Sequence, residues 1–188
     1  MALNNPFDMQ GRVKTGALIA LLKAVSFDFQ DYMRQICKDK GVDFSNYGPE
    51  LDWEIELDIY SEIAKLVGPS TLHYMGRKVG EEIALPPSIR SMEELLRVGI
   101  NLAYRATHMG ERIGHYRLLS YSESAGKAVL EAFNPYPGPF DSGLIYTFAR
   151  RYKKPTYFNL EIQTDPSKPC RENGEGFKST YVITWDSV

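Results

Sequence analysis

Five side chains of this sequence carry nitrogen or sulfur atoms that could bind a metal ion: His73, His108, His115, Cys37 and Cys170. His108 and His115 lie seven residues apart, across a predicted turn from helix to strand. Structural zinc sites use tighter paired spacings than this. The two cysteines fall in different halves of the chain, with no CxxC or CxxH spacing nearby. These donors therefore predict no metal site.

The residues that could perform covalent or acid–base catalysis are also scattered. Three serines between residues 120 and 124 surround Glu123, but the nucleophile-elbow pattern G-x-S-x-G is missing. Neither G-x-x-x-x-G-K-[ST] nor G-x-G-x-x-G occurs, so no phosphate-binding or dinucleotide-binding loop is indicated. The carboxylates clustered in residues 50–62 are typical of a helix face in water. We therefore expect no catalytic residues and a protein that is not an enzyme.

The composition is that of a globular domain without a nucleic-acid partner. The chain has 188 residues, a net charge of −2 and 43% hydrophobic residues. Binding to nucleic-acid phosphates needs a concentrated positive field, which a slightly acidic chain does not provide. The longest apolar run, Ala17–Leu22, is too short to span a membrane. Because the N-terminus has no signal-peptide pattern and two cysteines do not suggest a disulfide framework, we expect a cytoplasmic protein.

Helical spacing dominates residues 11–110, behind a segment of residues 1–10 that we expect to be a loose tail. Apolar residues recur every three or four positions and predict helices over Val13–Ala24, Asp28–Lys40, Trp53–Val67, Thr71–Ile83 and Met92–Thr107. The last of these begins with a capping box, Ser91 and Glu94, which satisfies free backbone N–H groups at the helix start. Leu102 belongs to its predicted buried stripe.

Alternating patterns of period two replace the helical spacing in residues 114–186. They predict four strands, at Tyr116–Tyr121, Ala128–Phe133, Tyr157–Ile162 and Thr180–Trp185. Three prolines in NPYPGP end the second strand, and Asp141–Tyr152 follows as a helix. The predicted fold class is α+β: a single domain over residues 1–188, with N-terminal helices packed on a four-stranded antiparallel sheet of ββαββ order.

Aromatic residues make up 12% of the chain, and many of them lie in its second half. Pockets for small molecules are mostly apolar, with a few placed polar groups. We expect a pocket between the sheet and the Ser91–Thr107 helix. Its predicted lining is Tyr104, Tyr116, Tyr136 and Phe140. The predicted ligand is a hydrophobic or aromatic small molecule.

Three motifs carry a resemblance to a known superfamily. They are YRATHMGERIGHY at Tyr104–Tyr116, FNPYPGPFDSGLIYTFARRY at Phe133–Tyr152 and CRENGEGFKSTYVITW at Cys170–Trp185. With the order of helices and strands, they resemble the superfamily that joins haem nitric-oxide/oxygen-binding (H-NOX) domains, bacterial four-vinyl-reductase sensor domains and TRAPP trafficking subunits. The second and third motifs are similar to segments of bacterial haem-NO-binding-like members. The resemblance implies a non-enzymatic ligand-binding or sensory module that signals through a homodimer or a partner protein.

The sequence departs from the H-NOX pattern around the haem. In H-NOX domains a histidine on the helix before the sheet binds the iron, and Tyr-x-Ser-x-Arg on the second strand holds the haem propionates. Asn134 and Tyr136 stand at the serine and arginine positions here, and the histidine position falls near Asn101 or Leu102. We therefore expect no cofactor.

Two alternative functions are open. One is a haem-based gas sensor whose axial ligand is His108, which lies almost two helical turns beyond the expected histidine position. The other is a structural dimerisation or interaction module like the TRAPP subunits. The final loop supplies no paired-thiol site, since Cys170 is kept but Ser179 stands where relatives commonly have a second cysteine.

Overall fold

The computed structural model describes residues 5–24, 27–43, 48–171, 174 and 176–187. Its helices are α1 (Gly16–Ala24), α2 (Phe27–Asp39), α3 (Trp53–Leu66), α4 (Pro69–Glu82), α5 (Met92–Glu94), α6 (Ile100–Thr107) and α7 (Gly138–Tyr152). Its strands are β1 (Arg12–Lys14), β2 (Glu50–Asp52), β3 (His108–Met109), β4 (His115–Ser122), β5 (Lys127–Phe133), β6 (Tyr157–Thr164) and β7 (Lys178–Ser187). The prediction of helices combined with antiparallel strands is confirmed. Within the described ranges, none of the helices has the length and hydrophobicity that a membrane span requires.

Strands β4 to β7 form an antiparallel sheet in the spatial order β4-β5-β7-β6, and α7 connects β5 to β6. Successive side chains of a strand point to opposite faces of the sheet. On the inner face, Leu130 of β5 lies beside Tyr181 of β7, and both side chains are fully buried. The period-two patterns of the sequence therefore mark the face of the sheet that forms part of the core.

Helices α4 and α7 approach each other at glycines. A Cβ atom at Gly143 would lie 2.0 Å from the carbonyl oxygen of His73, and one at Gly76 would lie 2.0 Å from that of Phe140. No real side chain can occupy such a position, so only glycine permits this approach. Since α7 also contacts β6, α4, α7 and the sheet form one closely packed unit.

A second, three-stranded sheet was not predicted. Its central strand is β1, in which Val13 pairs with Leu51 of β2 and with His108 of β3. The helix predicted from Val13 therefore begins only at Gly16. Strands of two or three residues are too short to display an alternating pattern, which explains the error. The small sheet ties the backbone of His108 to the beginning of the chain.

The prediction of a loose tail over residues 1–10 is wrong for residues 5–10, while residues 1–4 lie outside the described part. Phe7 is buried, and its ring centroid lies 4.9 Å from that of Phe133. The backbone N–H of Asp8 donates a hydrogen bond to the carbonyl oxygen of Arg112 at 3.0 Å. The two apolar residues of this part, Phe7 and Met9, are too few to give a periodic signal, so this anchor was missed.

A π-helical turn, Leu95–Gly99, joins α5 to α6 and changes which residues of the long helix are buried. The helix start is capped as predicted, since Ser91 Oγ accepts a hydrogen bond from the Glu94 N–H at 3.1 Å. The π turn spans one residue more per hydrogen bond than an α-helix. The buried face is therefore shifted, so that Tyr104 is buried, whereas Leu102 is 46% exposed. The prediction that Leu102 belongs to the buried stripe is wrong for this reason.

Candidate functional site

A small cavity of about 40 Å³ lies among the helices. The residues predicted to line a pocket, namely Tyr104, Tyr116, Tyr136 and Phe140, all line this cavity, and so does His108. Among the described lining residues only Tyr116 belongs to the four-stranded sheet, so the cavity lies mainly between α7 and the other helices. Ligand binding by these side chains stays a prediction.

His108 is held at the junction of α6 and β3. Its backbone N–H donates to the carbonyl oxygen of Tyr104, and its pairing with Val13 in the small sheet fixes the direction in which the chain leaves the helix. The imidazole ring lies 4.0 Å from the ring of Tyr104 and meets that of Trp53 edge-on at 5.4 Å, both measured between centroids. Burial lowers the pKa of His108 to about 4. The ring is therefore neutral at pH 7.

Tyr136 joins three other buried side chains. Its Oη lies 2.6 Å from Nε2 of His108 and 2.6 Å from Oε2 of Glu56. The same oxygen accepts a hydrogen bond from Trp53 Nε1 at 3.1 Å. The N-P-Y-P turn sets its position, because the backbone N–H of Tyr136 donates to Asn134 Oδ1 at 3.0 Å. Glu56 is fully buried, and its other oxygen, Oε1, has no hydrogen-bond partner among the described residues.

The hydrogen bonds of this group determine where its protons lie. His108 Nδ1 is 2.8 Å from the carbonyl oxygen of Tyr104, which can only accept, so Nδ1 carries a hydrogen. The single hydroxyl hydrogen of Tyr136 is donated to Glu56 Oε2 when Glu56 is a carboxylate; when Glu56 is protonated, its O–H can donate to Tyr136 Oη, whose own hydrogen then bonds Nε2 of the neutral His108 ring. Burial raises the pKa of Glu56 to about 7, which favours the protonated form. With Glu56 protonated, Glu56, Tyr136 and His108 form a neutral chain of hydrogen bonds.

A second buried cluster, centred on Asp141, was missed by the sequence analysis. The Asp141 carboxylate accepts hydrogen bonds from Tyr116 Oη at 2.6 Å and from Asn134 Nδ2 at 2.9 Å. It also forms an ion pair with Arg171 at 2.8 Å. Arg171 donates further hydrogen bonds to Asn134 and to Ser179 Oγ. Every nitrogen of the guanidinium group thus has a partner inside the fold, and the cluster holds the final loop against the core.

The other candidate metal ligands lie apart from one another. His73 Nδ1 is 2.9 Å from Ser142 Oγ, and His115 Nε2 is 3.4 Å from Glu131 Oε1. Both cysteines are buried free thiols. In the part of the chain that the structure describes, no three His, Cys, Asp or Glu side chains are placed to bind one metal ion.

Solved structures share the fold of this chain, whereas no family model and no curated protein matches its sequence. An H-NOX protein from S. oneidensis in the Fe(II)NO ligation state has a TM-score of 0.67 at 12% identity, covering 93% of this chain and 99% of its own. An oxygen-binding H-NOX domain related to soluble guanylate cyclases, in its oxygen complex, has a TM-score of 0.61 at 13% identity, covering 93% of this chain and 95% of its own. A protein described for the modulation of haem redox potential by porphyrin distortion has a TM-score of 0.61 at 12% identity, covering 93% of this chain and 96% of its own.

These matches show that the chain has the H-NOX fold, in agreement with one branch of the superfamily that its motifs resemble. They overturn the expectation that no cofactor is bound, because the solved structures with this fold are described with iron and haem. The expectation rested on the residues at two positions, that of the iron-binding histidine and that of the propionate-binding motif. The cavity beside His108 is formed by residues from several helices and could not be recognised from those two positions.

Proposed function

We propose that this protein is a haem-binding sensory module of the H-NOX fold, with His108 as the axial ligand of the iron. The observation that carries the proposal is the buried imidazole of His108 beside the cavity among the helices. The shared fold supports it, since H-NOX proteins with this fold are described in iron–NO and oxygen complexes. A bound haem would supply an iron atom at which a diatomic gas can coordinate.

The imidazole of His108 and the apolar lining of the cavity have the chemical character that haem binding requires. A metal ligand must be deprotonated, and a pKa of about 4 keeps the His108 ring neutral at pH 7. The hydrogen bond from Nδ1 to the Tyr104 carbonyl oxygen would orient the ring for ligation through Nε2. Apolar and aromatic side chains, among them Phe140 and Phe148, would contact the faces of a porphyrin.

The cavity is too small to hold a haem in the conformation that the structure shows. A cavity of about 40 Å³ is far below the roughly 300–1,000 Å³ of pockets that hold drug-sized ligands. His108 Nε2 is bonded to Tyr136 Oη, and the described lining contains no lysine or arginine that could hold a propionate. Haem binding therefore requires that the helices open and that Tyr136 releases Nε2.

The proposed role is sensory and not enzymatic. The side chains of Glu56 and His108, an acid and a base, are hydrogen-bonded to each other through Tyr136. We propose that the module works in the cytoplasm and passes its signal to a second copy or to a partner protein, through a change in the arrangement of the helices around His108.

Reconstitution with haem tests the proposal. Purified protein mixed with one equivalent of haem should give a Soret band of a histidine-ligated haem. His108→Gly should abolish this band, and added imidazole should restore it by entering the space left by the side chain. His115→Gly, which removes a histidine at the start of β4, is the matched control and should leave the spectrum unchanged. A His108→Gly variant with the wild-type spectrum would refute the proposed ligand.

A second candidate function is a structural interaction module like the TRAPP subunits. It is favoured by one observation: both ring nitrogens of His108 and every nitrogen of the Arg171 guanidinium are bonded within the fold. Native mass spectrometry distinguishes the two candidates. A dimer that takes up no haem on reconstitution would support the interaction module, whereas a protein of either oligomeric state with bound haem would support the sensor.

A further inference from the structure

A surface groove of about 460 Å³ runs between α1, α4 and α6. It exists because the residues along it are small. Glycine and alanine supply much of its lining, at Gly16, Ala17, Ala20, Ala84, Ala103 and Ala106. Unlike the cavity beside His108, the groove by itself has the volume of a pocket for a drug-sized ligand, which is roughly 300–1,000 Å³.

The groove and the cavity are adjacent. Five residues line both of them, namely Ala17, Val79, Ile83, Ala103 and Thr107. Three of these, Ala17, Ile83 and Thr107, are half-buried. The boundary between surface and cavity is therefore a single layer of side chains, of which Ala17 and Ala103 are small. A ligand lying in the groove needs to displace only this layer to reach the ring of His108.

Two lysines stand at the edge of the groove without an ionic partner among the described residues. Lys14 at the end of β1 and Lys23 at the end of α1 line the groove and are exposed. In the described parts of the chain neither forms a salt bridge, whereas Lys40 and Lys78 each pair with a carboxylate. The single acidic side chain of the described groove lining is Glu82, so two positive charges oppose one negative charge. The groove thus combines an apolar floor with a net positive edge.

We propose that the groove and the cavity form one binding site for a ligand with an apolar body and an acidic end, and that Lys14 and Lys23 hold the acidic end. This inference rests on the proposed function in that the same cavity receives the apolar body. A porphyrin with its propionates and a long-chain fatty acid share this chemistry. The lysines would supply the anchoring charges that the cavity lining itself does not contain.

Affinities for acids and for their esters test the proposal, because esterification removes the charge and keeps the apolar body. The probes are iron-free protoporphyrin IX with its dimethyl ester, and cis-parinaric acid with its methyl ester, each titrated by fluorescence at low salt. Lys14→Gln and Lys23→Gln should each weaken binding of an acid by about three-fold and leave the ester unchanged. Glu82→Gln should strengthen binding of the acid, because it removes the opposing charge.

Lys38→Gln is the matched control, since this exposed lysine on α2 lies outside the groove. It should change no affinity. Equal effects of the Lys14 and Lys23 substitutions on acid and ester, or no effect on either, would overturn the proposal, as would a wild-type protein that binds neither acid. Lysine-dependent binding of only the porphyrin or only the fatty acid would support the site and identify the source of the acid.

The test separates this inference from the proposed function. Iron-free protoporphyrin needs no axial ligand, so its lysine-dependent binding would stand even if His108→Gly left the haem spectrum unchanged. Conversely, the haem spectrum could depend on His108 while the affinities for the acids are unchanged by Lys14→Gln and Lys23→Gln. This result would support the haem sensor and refute the binding site in the groove.

Discussion

Glu56→Gln should stabilise the protein at and above pH 7 and change its stability little near pH 4.5. Glu56 is fully buried, and burial raises its pKa from 4.5 to about 7. The folded state therefore favours the protonated carboxyl. Its contribution to stability is fully present below pH 4.5 and is lost as the pH rises through about 7. Glutamine does not ionise in this range, and its amide can still donate a hydrogen bond to Tyr136.

The expected magnitude follows from the same two pKa values. The difference between 4.5 and about 7 corresponds to about 3 kcal/mol in the free energy of unfolding. His108 acts in the opposite direction: its pKa falls from 6.5 to about 4, so its contribution is present above pH 6.5 and is lost as the pH falls through about 4. Between pH 4.5 and 6.5 the opposite pH dependences of the two groups nearly cancel in the wild-type protein, whereas the stability of Glu56→Gln should rise with pH in this range because of His108 alone.

Urea unfolding at several pH values between about 5 and 8 measures this effect. The difference in free energy of unfolding between Glu56→Gln and wild type should increase with pH towards about 3 kcal/mol. Glu54→Gln, which makes the same substitution on the exposed side of the same helix, is the matched control. If Glu56→Gln and wild type show parallel pH dependences, Glu56 is not a buried carboxylic acid and the proposed chain of protons is refuted.

Three further substitutions test the packing and the polar clusters. Tyr136→Phe removes the hydroxyl that occupies His108 Nε2; we expect a loss of about 1–3 kcal/mol in urea unfolding together with tighter haem binding in a spectral titration, and unchanged haem affinity would contradict the blocking role. Gly143→Ala places a Cβ against the α4 backbone and should destabilise by about 1–3 kcal/mol or more; a wild-type melting temperature would contradict the close approach. Arg171→Ala leaves Asp141 buried without its cation and should cost about 3–5 kcal/mol in urea unfolding; an Arg171→Ala variant with wild-type stability would contradict the structural role of this ion pair.

Most of the helices and the four long strands could be predicted because they display complete periods of buried residues. The errors have specific physical causes. The π turn shifts the buried face, so Leu102 points to solvent although its spacing matches the stripe before it. The strands of the small sheet are stabilised by partners elsewhere in the chain and carry no periodic signal. A short sequence window cannot contain either kind of information.

The candidate site was predicted only in part, for a related reason. Two aromatic residues of the cavity lining have positions that are visible in the sequence, since Tyr116 lies at a strand start and Tyr136 in a proline turn. Glu56 and Trp53 are 80 and 83 residues from Tyr136, with which both form hydrogen bonds. Such distances leave no spacing rule to recognise, and a buried glutamate on an otherwise acidic helix has the same sequence signature as an exposed one.

The glycine contacts between α4 and α7 determine which part of the molecule can act as a hinge. Because the two backbones touch at Gly76 and Gly143, no layer of side chains separates α4 from α7 at these points, and we expect this pair of helices to rearrange less than the other walls of the cavity. We expect the cavity to enlarge at the wall where α1 follows β1 and where small side chains separate the cavity from the groove. In this view α1 is the wall that moves, whereas α4, α7 and the sheet stay in place. Strand β1 pairs with β3 at His108 and immediately precedes α1. A displacement of His108 would therefore be passed through β1 to α1.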